Sequence, residues 1–245
     1  YQLGVDIDGD VDYDFFGEAV SMSSDGEHIL IGAPYNDAGG TSAGEARVYR
    51  WDSASDTWVQ MGASISGTGQ SAEAGSSVSI SANGGRIAIG STGDSMSGTG
   101  DAAQVFDWDG DQSAWIQAGS TFTGRGNGDV FGSSTALARN GGLVAIGAPS
   151  AGWGGNTEGY VRIFESSASL AFDLNGGVGG PSTVTGGGGS SAAVSTTEPT
   201  RDGYTFTGWN TVADGSGTSY AGGNTYTLPN SGTDTLYAQW QPVVT

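Results

Sequence analysis

The sequence contains no cysteine, so no disulfide braces it and no thiol serves as nucleophile or metal ligand. Lysine is missing as well: all seven basic side chains are arginine, which rules out Lys–Asn isopeptide crosslinks. Histidine occurs once, at His28, and no Ser-His-Asp setting surrounds it to suggest a serine triad. Positive charge is scarce. Seven Arg face 26 Asp and Glu, leaving a formal net charge of −19. Such a chain repels nucleic acid and anionic membrane surfaces and attracts divalent cations or basic partners. No apolar run nears the roughly 18 residues of a membrane helix, so no membrane insertion is expected. There is no Asn-x-Ser/Thr sequon for N-glycosylation. The sequence opens at Tyr1 rather than Met, without a signal peptide, and reads as a processed product or an excerpt of a longer chain.

What is abundant is glycine, 46 of 245 residues, without the every-third-residue period of collagen. That count fits an all-β chain with many tight turns. Three segments repeat. Phe16-Gly17 leads to Gly32-Ala33-Pro34, Ala74-Gly75 leads to Gly90-Ser91-Thr92, and Phe131-Gly132 leads to Gly147-Ala148-Pro149. In each, an alternating strand meets a hairpin dipeptide (Asp25-Gly26, Asn83-Gly84, Asn140-Gly141) of the kind preferred in two-residue type I′ turns. A β-branched apolar strand follows (ILIG, IAIG, VAIG), as suits burial on both faces. Third strands are expected at 46–51, 103–108 and 160–165. A fourth follows in the first two repeats, where Trp51/Trp58 and Trp108/Trp115 keep one spacing. The connectors 6–17, 64–75 and 121–132 are each twelve residues long, and Tyr1–Val5 aligns with the end of a fourth strand.

Four short strands per repeat describe a propeller-type blade. On the Phe-Gly and Gly-Ala-Pro elements quoted above, residues 1–166 resemble the FG-GAP repeat family, the blades of integrin-α-type propellers. The resemblance implies three four-stranded blades in an incomplete propeller, at about 16–62, 75–119 and 132–165. Integrin-type blades carry a calcium loop between the two elements. Here that place is a tight hairpin, too short to wrap an ion.

Residues 167–245 form a second module. The run from Phe172-Asp173-Leu174-Asn175-Gly176-Gly177 through Gly203-Tyr204-Thr205-Phe206-Thr207-Gly208-Trp209 to Leu236-Tyr237-Ala238-Gln239-Trp240 resembles the Listeria–Bacteroides, or internalin B type, repeat over about 170–241. This implies a small β-grasp-like module used as a stalk or interaction unit of surface and secreted proteins. An aromatic core of Tyr204, Phe206, Trp209, Tyr237 and Trp240 is expected, and the Gly-rich tract 184–194 reads as a flexible loop.

The sharpest constellation is Asp6, Asp8, Asp10, Asp12 and Asp14. Spaced by two, they share one face of an extended segment, about 7 Å apart, and their repulsion asks for a cation such as Ca²⁺. A solvated acidic connector explains them too. Gly-rich stretches lack the Lys and helix of a phosphate loop. No acid is positioned against a nucleophile, so no enzyme is expected. The reading is an extracellular or cell-surface structural or adhesive protein, a unit of an appendage, filament or matrix. Its partners would be other copies of itself or further blades of the same precursor, in a homo-oligomer or filament. The alternative is a carbohydrate- or protein-binding module of a larger secreted protein.

Overall fold

The computed structural model describes residues 2–93, 101–126, 128–149 and 158–243. It is all-β, with no helix among these residues. The chain divides into two compact units, Tyr1–Phe164 and Glu165–Thr245.

In the first unit, β1 (Ala19–Met22), β2 (His28–Ala33), β3 (Glu45–Asp52) and β4 (Thr57–Gln60) form an antiparallel meander, and β5 (Ile65–Ser66) pairs back onto β3. The pattern recurs with β6 (Ala74–Ile80), β7 (Arg86–Ser91), β8 (Ala102–Asp109), β9 (Ala114–Gln117) and β10 (Phe122–Thr123), where β10 pairs β8. The third sheet stops at three strands: β11 (Ser134–Leu137), β12 (Leu143–Ala148) and β13 (Tyr160–Glu165). Trp51 faces Trp58 and Trp108 faces Trp115 across the outer hairpins, with ring centroids 5.3 Å apart in both pairs.

The inner hairpins depart from the expected two-residue turn. Type I′ needs positive φ at both central residues, and here only the glycine has it: Gly26 at 75°, Gly84 at 70° and Gly141 at 73°. Five residues separate the paired strands in each hairpin. Gly26 N–H donates to Ser23 O, and Asp25 Oδ1 accepts from Glu27 N–H at 2.9 Å. Asn83 and Asn140 accept in the same way from Gly85 and Gly142. The Asp/Asn-Gly pair is thus an Asx turn followed by a left-handed glycine.

Successive sheets stack face to face. Leu30, Ala46 and Val48 pack against Ile80, Ile87, Ile89 and Phe106, and Ala88, Ala103 and Val105 pack against Phe131, Val144 and Ile146. The motif glycines form the closest approach. A Cβ on Gly32 would lie 2.1 Å from Gly75 O, and one on Gly90 would lie 2.0 Å from Gly132 O. Only glycine lets two backbones meet so closely. His28 belongs to this packing: its ring lies over Gly84, where a Cβ would fall 2.4 Å from Cγ.

The expected strand at Tyr1–Val5 is not formed. Tyr1 lies outside the described residues, and Gln2–Val5 has no strand pairing. Gly4 nonetheless sits over the first Trp pair, 2.9 Å from Trp51 Cζ3 by its virtual Cβ, as Gly62 sits 2.8 Å from Trp108 Cζ3.

In the second unit, β14 (Ser167–Asp173), β15 (Val184–Gly187), β16 (Ser191–Ala193), β17 (Tyr204–Asn210), β18 (Ser219–Tyr220), β19 (Thr225–Thr227) and β20 (Gly232–Pro242) make a five-stranded sheet, β15-β14-β20-β17-β18, and a two-stranded one, β16-β19. The first and last strands, β14 and β20, pair in parallel. Trp209 is the buried centre, edge-on to Phe172 and Phe206, with Leu170, Leu228, Leu236 and Val194 around it. Two of the expected core aromatics differ. Tyr204 opens β17, paired with Pro242 at the sheet's end, and is at the surface beneath Arg201, 4.2 Å from its guanidinium. Tyr237 is only half-buried because it alternates with the buried Leu236 and Ala238 on β20. The Gly-rich tract is not a loop: it supplies β15 and β16. A Cβ at Gly188 would fall 1.8 Å from Asn230 O, so close backbone approach selects the glycine there.

Candidate functional site

The Asp-rich connector and the loop after β2 enclose a cavity of about 480 Å³. The connector is not extended. Tyr13 and Phe15 hold left-handed backbone, φ 71° and 56°. The same positions are left-handed in the other connectors, at Ser71 and Glu73 (both 52°), and at Gly128 (81°) and Val130 (54°). Three unlike sequences therefore adopt one bend. A bulky or β-branched residue there is strained, so packing of the adjoining sheets imposes it.

That bend scatters the predicted ligands. Asp14 alone is buried, accepting from Asn36 Nδ2 at 2.7 Å. Asp10 is exposed and ion-paired with Arg47. Asp6 accepts from Gln2 Nε2 at 2.8 Å. Asp8 and Asp12 are exposed. The shared carboxylate face needs a strand, and the connector has none. Among the described residues no three His, Cys, Asp or Glu side chains converge as an ion-holding set.

At the floor of the cavity Glu45 is fully buried, and Arg47 Nη2 lies 2.5 Å from its Oε1. The guanidinium bridges Glu45 and Asp10 and lies 5.5 Å from the Phe16 ring. Arg47 also holds Asp10 below the ordinary carboxylate range, first by hydrogen bonding and then by its charge. Asp12 and Asp37 complete an acidic wall. Such a hollow suits a polar or cationic ligand by charge, and its lining contains neither histidine nor cysteine. His28 stands at the far end of β2, about 17 Å away by strand rise.

The third repeat ties the equivalent carboxylate differently. Asp129, the counterpart of Asp14, accepts from the Tyr160 hydroxyl and from Arg125 N–H at 2.7 Å. Nearby, Asp101 is buried, with Oδ2 accepting from Gly128 N–H at 2.6 Å and Oδ1 lacking a partner. Desolvation, helped by the Asp129 charge, pushes its pKa up. Nothing in the spacing of Asp101 and Asp129 announces this pair.

Residues 5–49 match the FG-GAP repeat family and residues 169–239 match the Listeria-Bacteroides repeat domain, in that order. Two proteins of Evansella cellulosilytica share short segments. One, described as a Gly-rich membrane protein, is 58% identical over 43 residues, 17% of this chain and 5% of the relative. The other, described as a membrane protein, is 58% identical over 40 residues, 16% of this chain and 6% of the relative. The chain therefore spans a small fraction of these relatives' length. Among solved structures, Saccharomyces cerevisiae Sqt1 aligns with TM-score 0.40 and 14% identity over 63% of this chain and 32% of that one. KlAtg21, in complex with the coiled coil of AgAtg16, aligns with TM-score 0.41 and 15% identity over 92% of this chain and 58% of that one.

Proposed function

We propose, starting from a chain that carries an FG-GAP repeat followed by a Listeria–Bacteroides repeat domain, that this is a non-enzymatic structural or adhesive protein. Repeats of these two families are those of extracellular or surface proteins. The finer reading takes the three stacked sheets as propeller-type blades and the second unit as a β-grasp-like stalk or interaction unit. The chain would be a building unit of an appendage, filament or matrix. One observation carries this: the repeated motif residues are used for sheet-to-sheet contact, with Gly32 on Gly75 and Gly90 on Gly132, rather than for a reactive constellation. Immunogold labelling of intact cells, with electron micrographs of the shed material, tests it. Label on surface fibres or matrix supports the reading, and label confined to the cell interior overturns it.

The acidic cavity beside Asp14, Glu45 and Arg47 favours a second reading, a module that binds a carbohydrate or a basic peptide segment. A glycan array and titration with an Arg-rich peptide test it. Binding by the parent that Asp12→Asn/Asp37→Asn abolishes supports it.

A further inference from the structure

The contacts that join one repeat to the next are directional, and each leaves an unused half at both ends of the series. The apolar face comes first. In the third strand of each sheet, the second and fourth residues point toward the following sheet. Ala46 and Val48 are 0% and 2% exposed, and Ala103 and Val105 are 1% and 6% exposed. Their counterparts in β13, Val161 and Ile163, are 66% and 69% exposed. At the opposite end, Val78 and Ile80 pack into the first joint, whereas their counterparts Val20 and Met22 are 61% and 55% exposed.

The polar contacts repeat the asymmetry. Ser24 N–H donates to Ala82 O at 3.0 Å, and Ala82 N–H donates to Arg139 O at 2.9 Å. These three residues are equivalent, so the next donor in the series is Arg139 N–H and the next acceptor is Ser24 O. The glycine contact behaves likewise. Gly32 and Gly90 each meet the backbone of the next repeat, but among the described residues Gly147 meets only Ser134, and nothing lies within 4 Å of a Cβ on Gly17. Around Gly147 and Val161 there is instead a hollow of about 460 Å³.

We propose that the far face of the third repeat, centred on Gly147, Val161 and Ile163, binds the near face of the first repeat of a second copy, centred on Gly17, Val20 and Met22. Two joints inside the chain show what such a face accepts: a sheet of this same repeat. Past β13 the chain runs directly into β14 of the second unit, so no further sheet of this type follows there. The chain itself carries the complementary half at its first repeat. Charge agrees. Residues 1–33 carry eight carboxylates and no arginine, while residues 120–165 balance three arginines against three carboxylates. Two acidic near ends repel each other, whereas a near end meets the neutral far end without that penalty. The contact is heterologous, so it builds a ring or an open filament rather than a two-fold dimer. The inference rests on the structural-unit reading above and supplies its joint.

Sedimentation velocity of the full chain, across micromolar concentrations at physiological salt, tests it with two charge insertions at positions already exposed. Wild type grows with concentration into a series of multimers. Val20→Glu blocks the near face and Ile163→Glu blocks the far face. Each variant alone weakens association by about 30-fold or more, the loss of a central apolar contact. Mixed, they regain one intact joint and form a dimer that grows no further. Circular dichroism confirms that both variants fold. A wild type that stays monomeric, variants that assemble like wild type, or a mixture that forms no dimer overturns the joint. None of these outcomes moves the labelling of intact cells, so the surface reading stands or falls separately.

Discussion

Four glycines separate the two costs that a joint of this kind imposes, backbone conformation and backbone contact. Gly17 and Gly75 are both left-handed, φ 96° and 93°. Gly17 has open space around it, whereas a Cβ on Gly75 would lie 2.4 Å from Glu45 O. Gly32 and Gly147 are not left-handed. A Cβ on Gly32 would lie 2.1 Å from Gly75 O, whereas one on Gly147 meets the rotatable Ser134 hydroxyl at 2.3 Å. Alanine at Gly17 therefore costs about 1–2 kcal/mol, the conformational term alone. Alanine at Gly32 must push two main chains about 1 Å apart. That uncouples the Leu30–Ile87–Ile89 cluster, and we expect about 3 kcal/mol, the upper end of overpacking. Gly75→Ala combines both terms at about 4 kcal/mol or more. Gly147→Ala costs under about 1 kcal/mol, since a hydroxyl turns aside. Two units in one chain preclude a single two-state transition. The assay is therefore native-state hydrogen exchange in β2, β7 and β12, which reads each sheet by itself. Equal losses for Gly32→Ala and Gly147→Ala would refute the assignment of the motif glycines to sheet-to-sheet contact.

Removing the guanidinium in Arg47→Ala leaves Glu45 buried without its ion-pair partner, and we expect a loss of about 3–5 kcal/mol in the first unit, read by urea unfolding. Glu45→Gln in the same background recovers part of it. Asp101 has a folded pKa raised by burial, so the folded state holds its proton more tightly than the unfolded state. Stability from this group falls as pH rises from the ordinary carboxylate value of 3.8 to the raised one. Asp101→Asn should raise the melting temperature at neutral pH and flatten that slope, and a slope unchanged by the substitution refutes the assignment. Millimolar calcium should leave the melting temperature unchanged, because the carboxylates from Asp6 to Asp14 do not converge. A rise abolished by Asp8→Asn/Asp10→Asn would make the run a cation site.

The repeats were legible because strand alternation and turn dipeptides are local signals. The sheets at Ala19–Ala33, Ala74–Ser91 and Ser134–Ala148 follow from them directly. What escaped the sequence depends on tertiary context. The bend of the connectors is set by left-handed residues as unlike as Phe15, Glu73 and Val130, none of which favours that region. Even spacing of the Asp run suggested a ladder only because an extended backbone was assumed. Glycine tract 184–194 read as slack chain, since composition alone does not show Asn230 pressing on Gly188. Burial of Asp101 beside Asp129 joins residues from two loops, a pairing that spacing does not encode.

The same logic explains why a motif of small residues can specify assembly. A hydrophobic face by itself is permissive, because many apolar partners fit it at similar cost. The glycine contact is restrictive. A main chain presented at van der Waals range accepts only another main chain with no side chain at the meeting point, and Gly32, Gly75, Gly90 and Gly132 satisfy this in pairs. The hydroxyls of Ser21 and Ser79 then fix the offset, accepting from Ile80 N–H at 3.2 Å and Leu137 N–H at 2.9 Å. In the third repeat Ala136 stands where those serines stand, so a joint made there by a second copy lacks this hydrogen bond. Ala136→Ser restores the acceptor at an exposed position. It should tighten self-association by about 3- to 10-fold, the worth of one modest hydrogen bond, without changing the stability of the isolated chain. Sedimentation of this variant beside wild type measures it, and unchanged association would show that a docked second copy does not repeat the internal offset.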